Sequence, residues 1–77
     1  MKELLTYIVR NLVDNPDEVS ITERKGNGND IVFEVRVADS DMGKVIGRHG
    51  RIAKEIRTLM KSVARKKRKR VSVDIMD

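Results

Sequence analysis

The chain has no cysteine and no tryptophan, one proline, one histidine and only two aromatic residues, Tyr7 and Phe33, among 77 residues. Each shortage excludes something. Without cysteine there is no disulfide staple, no thiol nucleophile and no thiolate zinc site. The single histidine, His49, cannot build a multi-histidine metal centre. With no second histidine or paired nucleophile beside it in the sequence, it also lacks the partners that nucleophilic catalysis needs. No enzymatic reaction, metal or cofactor is therefore expected. Two aromatics are too few for a surface that stacks successive bases on exposed rings, and Phe33 is expected in the core. No apolar run approaches the ~20 residues of a membrane span. The first eighteen residues are too acidic and too interrupted for a signal peptide. The expected location is cytoplasmic, with no membrane contact.

What is abundant is charge, and it is polarised. Residues 1–41 carry 5 Lys/Arg against 9 Asp/Glu, a balance of −4, and residues 42–77 carry 12 against 3, a balance of +9, which together give the formal +5. Such asymmetry points to one basic face and a polyanionic partner, although a merely solvated charged surface is the plainer alternative. At this length only about 60% of the unfolded surface is buried on folding, so a single compact domain over residues 1–77 is expected.

Apolar spacing defines the elements. Leu4, Leu5, Ile8, Val9, Leu12 and Val13 form one helical stripe, which predicts a helix over residues 2–14 ended by Asn15-Pro16. Residues 18–24 read as a short strand with Val19 and Ile21 on one side. Residues 25–30 contain two Gly and two Asn and read as a turn. Ile31, Phe33, Val35 and Val37 alternate with Val32, Glu34 and Arg36, the period of a half-buried strand. Residues 39–46 fit one helical turn, with Asp39, Ser40 and Asp41 as candidate caps. Ile52, Ala53, Ile56, Leu59, Met60 and Val63 predict a second long helix over residues 51–65. Val71, Val73 and Ile75 predict a final strand over residues 70–76. The order is α-β-β-α-α-β. It implies an α+β fold in which a three-stranded sheet packs on helices, and the long crossover before the last strand allows parallel pairing.

The stretch Asp41 to Ile56 carries the chemistry. A short helix, a four-residue loop bounded by Gly47 and Gly50, and a long helix follow one another. Glycine at both loop ends permits positive φ and close approach of another chain. The start of the long helix offers N–H groups and a positive dipole end to a phosphate. Arg48, Arg51 and Lys54 add full charges at the same mouth. The plain reading is a tight helix–helix turn, as in a helix-turn-helix DNA binder. Gly43 fits close helix packing better than ligand contact. His49 fits a donor or stacking group beside a phosphate. Gly43-Lys44 is no phosphate-binding P-loop, because Val45 stands where Ser or Thr is required. Arg65 to Arg70 are six consecutive cations. Solvation and the helix C-terminal dipole account for part of that run, and nuclear targeting fits it less well.

The segment Val45-Ile46-Gly47-Arg48-His49-Gly50-Arg51-Ile52-Ala53-Lys54-Glu55-Ile56 resembles the G-x-x-G signature of KH domains with its flanking aliphatic spacing. With the N-terminal helix and hairpin in front, the order resembles the type II, or bacterial, KH topology. The whole chain is similar to the small stand-alone bacterial KH proteins of the KhpA/YlqC family. The resemblance implies single-stranded RNA as ligand, with the loop clamping the backbone of about four nucleotides. It implies one groove wall from Gly43, Lys44, Gly47, Arg48, His49, Gly50, Arg51 and Lys54. The other wall would be the last strand around Val71 to Val73 and the residue 25–30 turn. Lys66, Lys67, Arg68, Lys69 and Arg70 would extend the basic surface. It further implies a post-transcriptional regulator or RNA chaperone, with ribosome assembly, small-RNA regulation and cell-envelope control all compatible. A homodimer, or a heterodimer with a larger multidomain KH protein of the KhpB or Jag kind, is the implied assembly, and a protein-interaction module is the rival function.

Overall fold

A computed structural model describes residues 1–76 of the chain. Helix α1 spans Lys2–Leu12, strand β1 Ser20–Lys25, strand β2 Asp30–Arg36, helix α2 Met42–Ile46, helix α3 Arg51–Lys66 and strand β3 Arg70–Ile75. The sheet order is β1-β2-β3. β1 pairs antiparallel with β2 through Ile21↔Val35 and Glu23↔Phe33, and β2 pairs parallel with β3 through Phe33↔Val73. The α+β order and the parallel crossover pair are as the spacing implied.

The alternation on β2 does what period-2 patterning requires. Ile31, Phe33 and Val35 enter the core with Val71 and Val73 of β3, while Glu34 and Val32 lie on the opposite sheet face. Leu5 and Val9 of α1, Val45 of α2, and Ile56, Met60 and Ala64 of α3 close over the inner face. Phe33, Leu5 and Met60 are among the largest fully buried side chains, each worth about 1.5–3 kcal/mol on burial. On the outer face Arg24 Nε reaches Glu34 at 3.1 Å. β3 is an edge strand, and Arg57 Nε of α3 donates to the Val73 carbonyl at 2.9 Å. That contact occupies an edge acceptor that would otherwise invite another strand.

Four expectations need correction. α1 stops at Leu12 rather than residue 14, because Val13 is extended and the N–H groups of Asp14 and Asn15 both turn to the Asp41 carboxylate. β1 starts at Ser20 rather than residue 18, because Pro16–Glu18 form a 3-10 turn that Pro16 initiates. Asp39, Ser40 and Asp41 provide no side-chain cap to the helical turns they precede. Leu59 is not in the core: it is 46% exposed. The buried line of α3 is Ala53, Ile56, Met60 and Ala64, and Leu59 lies beside it on the exposed side.

Candidate nucleic-acid interface

The glycine loop is held in a conformation that only its sequence permits. Gly47 ends α2 with φ +75° and ψ 176°, a region almost exclusive to glycine. Its N–H donates to the Gly43 carbonyl at 2.9 Å, and the Gly50 N–H donates to the Gly47 carbonyl at 3.2 Å. A Cβ on Gly47 would lie 2.6 Å from Ile52 Cγ1 and 2.9 Å from the Ile52 backbone nitrogen. Gly50 is left-handed at φ +72°, but a Cβ there meets nothing within 4 Å. The two glycines therefore do different work, and their alanine variants should differ. Gly47→Ala is expected to lose about 2–3 kcal/mol of stability, and Gly50→Ala about 1 kcal/mol. Equal losses in chemical denaturation would contradict the steric role of Gly47.

Between the glycines, Arg48 and His49 are exposed. His49 is itself left-handed, with φ +57° and ψ 26°, a conformation that histidine tolerates better than most residues. Gly50 is the N-cap of α3 and supplies no capping side chain, and the Arg51 N–H at this end donates to the Arg48 carbonyl. A cavity of about 470 Å³ opens here, lined by His49, Arg51, Lys54, Glu55 and Thr58. Three of the five carry or can carry positive charge, and Glu55 is its one acidic member. This mouth can hold an anion.

The other sequence-selected residues are placed less simply. Gly43 is not a packing glycine: a Cβ there meets nothing within 4 Å. Lys44 is not free. Its ammonium lies 3.0 Å from Asp14 Oδ2 and 3.7 Å from Asp41 Oδ1, so a phosphate would compete with two carboxylates for it. Asp41 is 1% exposed and accepts hydrogen bonds from the Asp14 N–H at 3.2 Å, the Asn15 N–H at 3.0 Å and the Asn15 side-chain amide at 3.1 Å. This cluster ties the end of α1 to the start of α2. Val71 and Val73, expected along a groove wall, are core residues at 5% and 4% exposure. On β3 it is Ser72 and Asp74 that face outward, because side chains alternate along the strand.

The basic run does not sit beside the glycine loop. α3 rises 1.5 Å per residue, so Arg65 is about 21 Å from Arg51 along the axis. The run also spans three conformations. Arg65 and Lys66 end α3, Lys67 and Arg68 turn, and Arg70 opens β3. Lys69 N–H donates to the Ala64 carbonyl at 2.9 Å and Arg68 N–H to the Arg65 carbonyl at 3.1 Å, the Schellman pattern that usually closes on glycine. Here Arg68 occupies the left-handed position with φ +57°, at a cost of about 1 kcal/mol. The residue 25–30 turn faces this end: the Arg70 N–H donates to the Asn29 carbonyl at 3.3 Å. Sequence reading passed over Lys61 and took Arg65 only as part of the basic run. With Arg51, Lys54 and Thr58 they repeat at spacings of three, four, three and four, which places all five on one flank of α3. That spacing was the available signal.

A mixed three-stranded sheet under three helices, with a glycine-bounded loop projecting a cationic mouth between two of them, defines a KH-type α+β domain. The family described as "KhpA/KhpB, KH domain" matches residues 2–75. The chain is 52% identical over 77 residues to "RNA-binding protein KhpA" of Chlamydia trachomatis, covering 100% of this chain and 97% of that protein. It is 54% identical over 76 residues to the protein of the same name from Clostridium acetobutylicum, covering 99% and 100%. Against that of Treponema pallidum it is 47% identical over 76 residues, covering 99% and 94%. The chain belongs to the KhpA/KhpB KH-domain family.

Proposed function

We propose that this chain is a cytoplasmic, non-enzymatic protein that holds single-stranded RNA across its glycine loop, as a post-transcriptional regulator or RNA chaperone. The observation that carries the reading is the loop itself. Gly47 and Gly50 set a turn that leaves Arg48 and His49 exposed at the uncapped start of α3, with Arg51 and Lys54 beside them. Relatives along the full length carry the name RNA-binding protein. Gly43, with open space around it, leaves room for a strand to approach the α2 backbone. Lys44 acts first as a brace, through Asp14 and Asp41. Arg48, His49, Arg51 and Lys54 meet phosphates.

Salt titration tests the electrostatic part. With about four cations on a single strand, log K is expected to fall with log[salt] at a slope near −2.8, at about −0.7 per contact. A flat response would remove phosphate neutralisation as the basis of binding. Competition with duplex DNA in the same assay separates this function from a helix-turn-helix mode, which would prefer the duplex.

A second reading, pairing with another copy or with a larger multidomain KH protein, is favoured by exposed apolar side chains. Leu59 of α3, Ile46 of α2, and Leu4 and Tyr7 of α1 all remain outside the core. Pairing two small RNA-binding surfaces raises avidity without any new contact to RNA. Sedimentation of the pure protein distinguishes a monomer from a pair.

A further inference from the structure

Four asparagines occur in the chain, Asn11, Asn15, Asn27 and Asn29, and only Asn27 precedes a glycine. The side-chain amide of an asparagine is open to attack by the backbone nitrogen of the next residue. That nitrogen must lose its proton, and the backbone must bend to bring it against Cγ. Glycine eases the approach, because it has no side chain in the way and reaches dihedrals closed to other residues. The fold closes off the other three. Asn11 lies in the last turn of α1, where the Leu12 nitrogen is held in helical backbone, and its side-chain amide donates to the Tyr7 carbonyl at 2.7 Å. Asn15 is followed by Pro16, whose nitrogen carries no proton, and its side-chain amide donates to Asp41 Oδ2 at 3.1 Å. After Asn29, the Asp30 N–H is committed to the Asn27 carbonyl at 3.1 Å, and the Asn29 carbonyl accepts from the Arg70 N–H at 3.3 Å.

Asn27 has none of these protections. It and Gly28 are exposed at the tip of the hairpin. The Gly28 N–H donates no backbone hydrogen bond among the described residues. Gly28 has φ +62°, and a Cβ there would meet nothing within 4 Å, so the turn has room for a ring to close. The surroundings give the reaction a consequence. Asn27 lines a cavity of about 690 Å³ with Lys61, Arg65, Lys69 and Arg70, and an adjoining depression with Arg68, Lys69 and Arg70. The one carboxylate among these lining residues is Asp30. A second carboxylate at position 27 would be drawn to the cations and offset part of their charge.

We propose that Asn27 is a self-modification site, which deamidates through Gly28 and thereby lowers the affinity of the chain for polyanions. The Gly28 nitrogen gives its proton to hydroxide and attacks Asn27 Cγ. The new N–Cγ bond closes a succinimide, the Cγ–Nδ2 bond breaks, and ammonia leaves with a proton from water. Water then adds to either ring carbonyl and breaks one C–N bond, which leaves aspartate or isoaspartate. The net reaction is amide plus water to acid plus ammonia, with no change of oxidation state. Either product carries a new negative charge, and isoaspartate also lengthens the backbone of the turn by one atom. The modification stands on the turn alone, and its consequence rests on the RNA-binding reading above.

The test ages the full, folded chain in a warm, mildly alkaline buffer and follows it by peptide mapping with tandem mass spectrometry. Acid should accumulate at Asn27 at least ~tenfold faster than at Asn11, Asn15 or Asn29, which local structure protects, and faster as pH rises. Asn27→Gln, whose longer side chain closes the ring poorly, should stay an amide over the same period. Single-stranded RNA binding is then measured by fluorescence anisotropy on fresh and aged protein. Aged wild type and fresh Asn27→Asp should each bind about fivefold more weakly at low salt, the scale of one exposed ion pair, with a salt slope shallower by about 0.7. Aged Asn27→Gln should bind as it did when fresh. An aged chain still carrying the amide at Asn27, or acid appearing equally at all four asparagines, overturns the modification site. Conversion at Asn27 with unchanged RNA affinity overturns its consequence and leaves the loop function standing. A fresh wild type that binds no RNA overturns the loop function, while the mass measurement still decides the modification.

Discussion

Replacing Arg48 and His49 together by Asp is expected to lower affinity for single-stranded RNA at least ~100-fold while leaving the fold intact. The physical argument has two parts. The affinity loss corresponds to about 2.7 kcal/mol, which is modest for removing two donors and adding two carboxylates. A single hydrogen bond to a charged group is itself worth about 1.5–3 kcal/mol. The fold should survive because neither side chain is in the core and because Asp accepts the left-handed conformation that His49 adopts. Thermal melting within a few degrees of wild type, alongside lost binding in anisotropy, is the expected pair of results. Unchanged affinity in a folded variant would displace the loop from the centre of the function.

The second large effect is on stability and comes from Asp41. Asp41→Ala leaves the N–H groups of Asp14 and Asn15, the Asn15 amide and Lys44 without their shared acceptor. A drop in thermal midpoint of on the order of 10 °C is expected for a domain of this size, with a smaller drop for Asp41→Asn, whose amide oxygen still accepts. The pH dependence gives an independent check. Burial alone pushes the Asp41 carboxyl up. The Asn15 side chain, the N–H groups of Asp14 and Asn15, and the Lys44 charge together outweigh it and hold the carboxyl below its ordinary value. A depressed carboxylate stabilises the folded state above its unfolded value of about 3.9, and that contribution is lost as pH falls through the lower folded value. The gap in midpoint between wild type and Asp41→Asn should therefore be constant near neutrality and close on strong acidification. Lys44 works at the other limit. Its hydrogen bond and charge pairing with Asp14, aided by Asp41, hold its ammonium above the ordinary value, so its contribution persists through neutral pH and fades only as strongly basic pH passes the raised value. A gap that stays open in acid would contradict the charged state of Asp41.

The KH-type class, the strand alternation and the glycine loop were legible in residue order because each is a local pattern. Ile31, Phe33 and Val35 enter the core by a period that no distant residue has to supply. Gly47 marks the turn because backbone sterics admit little but glycine at its φ and ψ, and Gly50 sits in the left-handed region that glycine reaches most easily. Asp41 was misread for the opposite reason. In sequence it precedes a helix and looks like a cap, yet the donors it serves lie 26 and 27 positions earlier, at Asn15 and Asp14. Lys44 was taken for a free phosphate contact because its carboxylate at Asp14 is equally remote in sequence.

Residue order by itself determined the order of the elements, the crossover that lets β2 and β3 run parallel, the polarity of charge and the glycine-bounded loop. These follow from side-chain periodicity and backbone sterics, which act over a few neighbouring residues. Only the tertiary structure decided which cations stand together. It separated the run at Arg65 to Arg70 from the glycine loop by the length of α3, turned the hairpin toward that run, and withdrew Lys44 into a brace between helices. Electrostatic partnership depends on distance in space rather than along the chain, and the packing of α3 across the sheet sets that distance.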